Sequence, residues 1–254
     1  MALLEVKNVT KNFGGLTAVG NVSIELNKGE LVGLIGPNGA GKTTLFNLLT
    51  GVYEPTEGSI VLDGTELNGK TPYKIASLGL SRTFQNIRLF KNMTVLDNVL
   101  VGMSNNESSG FLTSLLRLPN FYRKEEELKE KAMSLLAIFD LDKYSDYLAK
   151  NLPYGQQRRL EIVRALATNP KILFLDEPAA GMNPQETADL TNLIRQVKEQ
   201  FNITIILIEH DMSLVMEVTE RIYVLEYGRL IAHGLPEEIK TNKRVIEAYL
   251  GEEG

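Results

Sequence analysis

The sequence predicts an α/β fold into which a helical lobe has been inserted, and three observations predict it. Short apolar runs at Leu31 to Ile35, Ile172 to Leu175 and Ile203 to Ile208 suit strands covered on both faces of a parallel sheet. The first run leads straight into a glycine-rich turn and then a helical segment. From about Ile87 to Thr168 the pattern becomes mostly helical.

Taken in order, the chain starts with short strands and turns. Leu4 to Val9 and Val22 to Leu26 read as strands, and Asn27-Lys28-Gly29-Glu30 is the turn before Leu31. Ser59 to Leu62 reads as another strand, closed by Asp63-Gly64. In the inserted stretch, Arg123 to Phe139 puts Leu128, Ala132, Leu135 and Phe139 on one stripe, with Lys and Glu opposite. Asn105 to Gly110 reads as a surface loop. Strand and helix then alternate: after Ile172 to Leu175, Glu186 to Phe201 places Leu190, Leu193, Ile194 and Val197 on one helix face.

The chain has 254 residues, enough for one large domain or a core with a lobe. A chain of this size buries roughly 70–75% of its unfolded surface and needs no disulfide or metal staple. It has no cysteine, which excludes disulfides, thiolate metal sites and cysteine nucleophiles. The net charge of -5 and the lack of a basic tract argue against nucleic acid as a partner. MALLEVKNVTKN has no basic segment followed by an apolar run, so a secretory leader is not expected. No apolar run approaches the ~20 residues of a membrane span, so any membrane role requires a separate partner.

Gly36-Pro37-Asn38-Gly39-Ala40-Gly41-Lys42-Thr43 has the spacing of a phosphate-binding loop, between a strand and a helix running from Thr43 to Leu49. Glycines let successive N–H groups converge on one anion, and the helix N-terminus adds partial positive charge. Lys42 is expected at the β- and γ-phosphates and Thr43 on Mg²⁺, with Thr44 completing the contact set. The loop alone specifies a nucleoside triphosphate, without choosing among ATPases, GTPases and kinases.

The run Ile172 to Leu175 carries Asp176 and Glu177 to its C-terminal end, the edge where open α/β sheets bind ligands. Asp176 suits water-mediated Mg²⁺ binding. Glu177 suits polarisation of an attacking water, worth roughly 10²- to 10⁴-fold in rate.

With these motifs in place, the chain resembles the ABC ATPase family over nearly its whole length. Gln85, within Arg82-Thr83-Phe84-Gln85-Asn86, resembles the Q-loop glutamine. That implies contacts with Mg²⁺ and the attacking water, and a link to the helical lobe. His210, in Ile208-Glu209-His210-Asp211, resembles the switch histidine that bonds the γ-phosphate. Ala179-Ala180-Gly181-Met182-Asn183 resembles the D-loop, with Asn183 in place of the usual Asp. Phe13 stands where the family stacks a ring on adenine, worth about 0.5–1.5 kcal/mol beyond burial. The resemblance implies a P-loop NTPase core, a mixed sheet flanked by helices with an N-terminal antiparallel β subdomain, plus an inserted α-helical subdomain. The implied boundaries are 1–86 and 169–254 for the core and 87–168 for the helical part.

One motif departs from the family. Its Leu-Ser-Gly-Gly-Gln signature stands here as Leu152-Pro153-Tyr154-Gly155-Gln156. Pro153 offers neither hydroxyl nor N–H. Gly155 and Gln156 remain, before a helix expected from Gln157 to Ala167, and are expected to contact nucleotide. Family members sandwich two nucleotides between two subunits. The altered signature therefore implies a second, paralogous ATPase subunit with a normal signature, and unequal sites; the alternative is a homodimer in which Pro153 is tolerated.

The chain is most similar to the ATP-binding subunit of high-affinity branched-chain amino acid uptake systems. This rests on Phe13-Gly14-Gly15-Leu16, the stretch Arg82 to Phe90, Met93-Thr94-Val95, the Tyr-Gly-Gln signature followed by Arg158-Arg159-Leu160-Glu161-Ile162, Asp176 to Pro184, and Val245 to Gly251. The resemblance implies two integral-membrane permease subunits, an external substrate-binding protein acting indirectly, and a place on the cytoplasmic face of the plasma membrane. Urea and short-amide importers use very similar ATPases, and so do lipopolysaccharide exporters, which usually keep the intact signature. Phe111 to Phe121 reads either as internal packing of the lobe, the preferred reading, or as a docking surface for the membrane subunits. A soluble ABC ATPase acting on ribosomes or DNA is disfavoured by the single cassette and the absence of a heptad insertion or basic tract.

Overall fold

The computed structural model of this chain describes residues 2–104 and 119–250, with the side chains of 119–122 and 250 left undescribed. The expected loop Asn105 to Gly110 lies outside the described residues, as do Phe111 to Leu118 and the end of the tail at Gly251. The chain forms two compact units, Met1–Arg82 with Lys171–Gly254, and Thr83–Pro170. The joins expected from the sequence are 86/87 and 168/169.

The first unit holds two sheets. The smaller has the order β2-β1-β4-β5, built from β1 (Leu4–Phe13), β2 (Leu16–Leu26), β4 (Glu57–Leu62) and β5 (Thr65–Glu66), all antiparallel. The hairpin of β1 and β2 continues to the pair Phe13↔Leu16, so both strands are longer than expected. Bulges bend them where Asn8 and Asn21 take φ of 51° and 55°. Those bulges break the strict alternation on which the sequence reading depended.

The larger sheet has the order β10-β9-β3-β8-β7-β6. β3 (Leu31–Ile35), β7 (Ile172–Asp176) and β8 (Thr204–Ile208) are buried at every position. They pair in parallel, as do β6 (Leu80–Arg82) with β7 and β9 (Arg221–Glu226) with β3. β10 (Arg229–Gly234) runs antiparallel to β9, so the sheet is mixed. Three-residue β6 is too short to show a period, and the charged ends of β9 hide its apolar middle.

Helices cover this sheet. Phe46 of α1 (Lys42–Leu49) meets Phe174 of β7 edge to face, 4.9 Å between centroids. After α2 (Pro72–Ser77) and β6, the chain leaves this unit and re-enters at Lys171. Ile239 and Val245, from the two C-terminal helices Pro236–Thr241 and Lys243–Leu250, pack with Ile222 and Val224. Each fully buried side chain of this kind contributes about 1.5–3 kcal/mol.

The second unit is helical: α3 (Val95–Ser104), α4 (Pro119–Ile138) and α5 (Tyr154–Leu166). The expected stripe is present, with Ala132 and Leu135 of α4 and Phe139 just beyond its end buried, and Leu128 partly so. α3 crosses α5 closely at Gly102, where a Cβ would stand 2.6 Å from the Arg164 carbonyl oxygen. Buried Asn98 donates to the carbonyls of Phe90 (3.1 Å) and Thr94 (2.9 Å) and accepts from the Phe90 N–H (2.9 Å). It thereby ties the segment after Gln85 to α3. The remaining helices lie in the first unit: α6 (Pro184–Phe201) and α7 (Met212–Val218).

Candidate functional site

A cavity of about 370 Å³ opens at the C-terminal edge of β3. Asn38 to Thr44 line one side, Leu16, Thr17 and Ala18 another, and Glu177, His210 and Tyr227 complete the wall. The strand β3 ends at Ile35, and the loop turns back through two glycines whose geometry dictates their identity. Gly36 has φ 151°, and a Cβ there would come within 2.1 Å of the Leu225 carbonyl oxygen. Gly39 has φ 75°, and among the described residues no atom lies within 4 Å of the Cβ it lacks. Gly41 caps α1 at φ 98°.

Lys42 begins the helix and is buried, its Nζ donating to the carbonyls of Gly36 (2.5 Å) and Pro37 (2.9 Å). The ammonium therefore folds back across the loop it belongs to. Thr43 is exposed and Thr44 partly exposed. An α-helix supplies no intrahelical acceptor for the N–H groups of its first turn. This end of the helix is built to take an anion.

Asp176 ends β7 and is 4% exposed. Its Oδ2 accepts from Arg82 Nη2 at 2.6 Å, and Arg82 also donates to Asn47 Oδ1 at 2.6 Å. Arg82 thus joins the ends of two parallel strands to α1. The sequence gives this residue no role beyond its place in a motif, because it lies 94 positions from Asp176 and its strand is too short to read.

Glu177 follows at φ 48°, a left-handed conformation uncommon for a non-glycine residue. Its N–H bonds the Ile208 carbonyl at 2.9 Å, and its Oε1 lies 2.9 Å from His210 Nε2. The turn aims the carboxylate sideways along the sheet edge, toward the histidine rather than off the end of the strand. Glu209 stands beside His210 in the quoted motif, but the sequence gives it no role. It is 4% exposed, and its carboxylate accepts from the N–H of Ala179 (2.7 Å) and of His210 (3.1 Å). Burial pushes its carboxyl above the ordinary value of 4.5, against the pull of those N–H groups. It fixes the Ala179 loop to the strand that carries His210.

Asn183 caps α6 with Glu186 in a reciprocal box, each side chain accepting the other's N–H at 2.9 Å. Asn serves this purpose as well as Asp. Phe13 is 42% exposed and packs edge-on against Tyr53 at 5.2 Å, with Lys11 Nζ 5.2 Å from its ring centroid. It does not line the cavity, whose rim carries Leu16 and Tyr227 instead.

The remaining expected residues belong to the second unit. Gln85 is exposed. α5 starts at Tyr154, three residues earlier than expected, with Pro153 as its N-cap. Gly155 and Gln156 therefore lie in the first helical turn, where N–H groups lack intrahelical partners. The helix reaches back this far because proline's restricted φ suits a helix start.

Comparison with known proteins identifies the family of this chain. The family profile described as "ABC transporter" matches residues 19–180, and that of the "Branched-chain amino acid ATP-binding cassette transporter" matches 229–254. The chain is 50% identical over 250 residues to the high-affinity branched-chain amino acid transport ATP-binding protein BraF of Pseudomonas aeruginosa, covering 98% of each. It is equally similar to LivG of Escherichia coli, 50% identical with 98% of each covered. A probable LivG of Methanocaldococcus jannaschii is 38% identical, with 99% of this chain and 98% of the relative covered. Among solved structures, a nucleotide-free ATP-binding cassette from an ABC transporter superposes with a TM-score of 0.84 at 38% identity, covering 98% of this chain and 99% of that one. Another cassette, in its ADP conformation, gives 0.85 at 36%, with 99% of each covered. The chain belongs to the ABC transporter ATP-binding family, among the branched-chain amino acid transport ATP-binding proteins, and is an ATP-hydrolysing transport ATPase.

Proposed function

We propose that this subunit drives import of branched-chain amino acids through separate membrane subunits, using ATP hydrolysed at the cavity described above. One observation carries the reading most directly: a phosphate-cradling loop and a carboxylate held against an imidazole line the same cavity.

The side chains fit ATP and its metal. Lys42 exchanges the carbonyls of Gly36 and Pro37 for the β- and γ-phosphates, and the N–H groups from Gly39 to Thr44 take the remaining phosphate charge. Glu177 accepts a proton from the attacking water, and His210 holds Glu177 and bonds the γ-phosphate. Thr43, Asp176 and Gln85 would hold Mg²⁺, with Arg82 keeping one Asp176 oxygen fixed so that the other keeps its direction. Mg²⁺, when bound, supplies charge that offsets what accumulates on the phosphate oxygens. Phe13 stacks on adenine beside the Leu16 rim.

A solved cassette similar to this chain is dimeric and bound to ADP and phosphate, at 26% identity and a TM-score of 0.76 with 92% of this chain covered. A sandwich dimer with a paralogous ATPase fits the Pro153 signature, the partner's normal signature facing Lys42 and Glu177. Among the described residues no helix is long and apolar enough to cross a membrane. By the likeness to branched-chain amino acid transport ATP-binding proteins, two permease subunits provide the path, an external binding protein supplies substrate, and this subunit sits on the cytoplasmic face.

Uptake of labelled leucine by cells with this chain intact, deleted or carrying Glu177→Gln tests the reading. Loss of uptake in both altered strains is expected. Unchanged uptake in the deletion strain would reject branched-chain amino acids as the cargo.

A further inference from the structure

Helix α5 carries two charged side chains that the mechanism does not use and that are shut away from water. Arg158 is 0% exposed and Glu161 1%, and they pair at 2.8 Å one turn apart. Such a pair recovers little of the cost of desolvating two charges, and apolar residues of similar size commonly stabilise a fold as well or better. Its contacts show what it holds instead.

Arg158 Nη1 donates to the Phe84 carbonyl and Nη2 to the Gln85 carbonyl, both at 2.6 Å. Glu161 Oε1 accepts from the Arg88 N–H at 3.0 Å while Oε2 holds Arg158. One ion pair thus grips the main chain of residues 84–88 at three points. The planar guanidinium supplies two donors at a fixed spacing, matching two successive carbonyls in a way a lysine cannot. Arg158 lies a single turn beyond Tyr154, so the same rigid helix carries Gly155 and Gln156 at its start.

We propose that Arg158 and Glu161 are positioning residues that lock the Gln85 segment to the signature helix, so that the two move as one body. This rests on the sandwich reading above, in which Gln85 serves one nucleotide and Gly155 and Gln156 serve the other. The lock then makes a change at one ATP site felt at the other within a single subunit.

The test uses the transporter assembled with its membrane and ATPase partners, together with the isolated subunit. The first variant is Arg158→Met with Glu161→Leu, which keeps volume and removes both charges. Its melting temperature should stay near that of the wild type. Amide hydrogen exchange over residues 84–88 of the isolated subunit should quicken. In the assembled transporter kcat for ATP should fall about ten- to a hundred-fold, as expected for a misplaced catalytic group. KM should move less than about two-fold, since uniform binding is untouched, and the Hill coefficient for ATP should drop toward one.

If the double variant fails to fold, Arg158→Lys keeps the ion pair and removes only the forked grip, and it should give the same split between kcat and KM. A folded variant with wild-type kcat, or with unchanged exchange at 84–88, overturns the proposal. A fall in kcat matched by a fall in melting temperature, with exchange quickened throughout the lobe, also overturns it, because that pattern is a purely structural role. Wild-type complex that does not hydrolyse ATP would count against the motor reading itself, whereas an active wild type with an equally active variant sinks the lock alone.

Discussion

His210 Nε2 stands 2.9 Å from Glu177 Oε1, two residues thirty-three positions apart in the chain. The pairing exists because β7 and β8 are parallel neighbours, with Asp176 opposite Ile208, so the residues that follow emerge at the same edge. Glu177→Gln should keep nucleotide binding and lower ATP turnover by about 10²- to 10⁴-fold. Phosphate release by the assembled transporter, alongside a filter-binding measurement of ATP affinity, checks both halves. Turnover at the wild-type rate would remove Glu177 as the base.

Lys42→Ala should abolish binding while leaving the fold intact, since the lysine's Nζ donates to carbonyls of its own loop rather than to the core. Magnesium ATP at a hundred times its Kd stabilises a folded protein by about 2.7 kcal/mol. The wild type should therefore melt later with nucleotide, and Lys42→Ala should melt at one temperature with and without it.

Arg82 and Asp176 form an ion pair with side chains 8% and 6% exposed. Arg82→Met should destabilise the protein by about 3–5 kcal/mol, because it strands a buried carboxylate rather than removing the pair. Arg82→Met with Asp176→Asn should recover much of that loss. Urea denaturation of the two variants separates the pair from simple packing, which predicts no recovery.

Tyr227 and Gly228 link β9 to β10 with φ of 47° and 75° and so have the dihedral signs of a type I′ turn, which favours Asn at the first position. Tyrosine there is 84% exposed. Tyr227→Asn should stabilise the fold by about 1 kcal/mol through relief of backbone strain. A lower melting temperature would show that the ring makes contacts outweighing that strain.

Burial raises the Glu209 carboxyl above its ordinary value of 4.5. In the window above 4.5 the native state then holds more proton than the unfolded chain, so this group's contribution to stability is greatest at low pH and falls as pH rises through the folded-state value. Chemical denaturation of wild type and Glu209→Gln from pH 4.5 to 7 should show the wild type losing ground to the variant as pH rises. A constant difference across that range would contradict the assignment.

Sequence alone determined the parts of this protein whose signal is local. The phosphate loop is legible because glycine is forced wherever the backbone takes a positive φ or approaches a carbonyl, as at Gly36 and Gly39. β3, β7 and β8 are legible because a parallel sheet buried on both faces demands unbroken apolar runs. Family resemblance added Gln85 and His210, which no local pattern distinguishes from ordinary surface residues.

Tertiary structure decided what depends on contacts between distant segments. β9 and β10 form because neighbours supply their hydrogen bonds, β9 from β3 and β10 from β9, against charged flanks that blur the pattern. Arg82 on Asp176, Glu209 on the Ala179 N–H and Arg158 on the Gln85 carbonyl join segments that the fold, not the order of residues, brings within bonding distance. A polar side chain in sequence looks equally suited to water. Only burial, which makes an unpaired charge costly, reveals that it must be holding something.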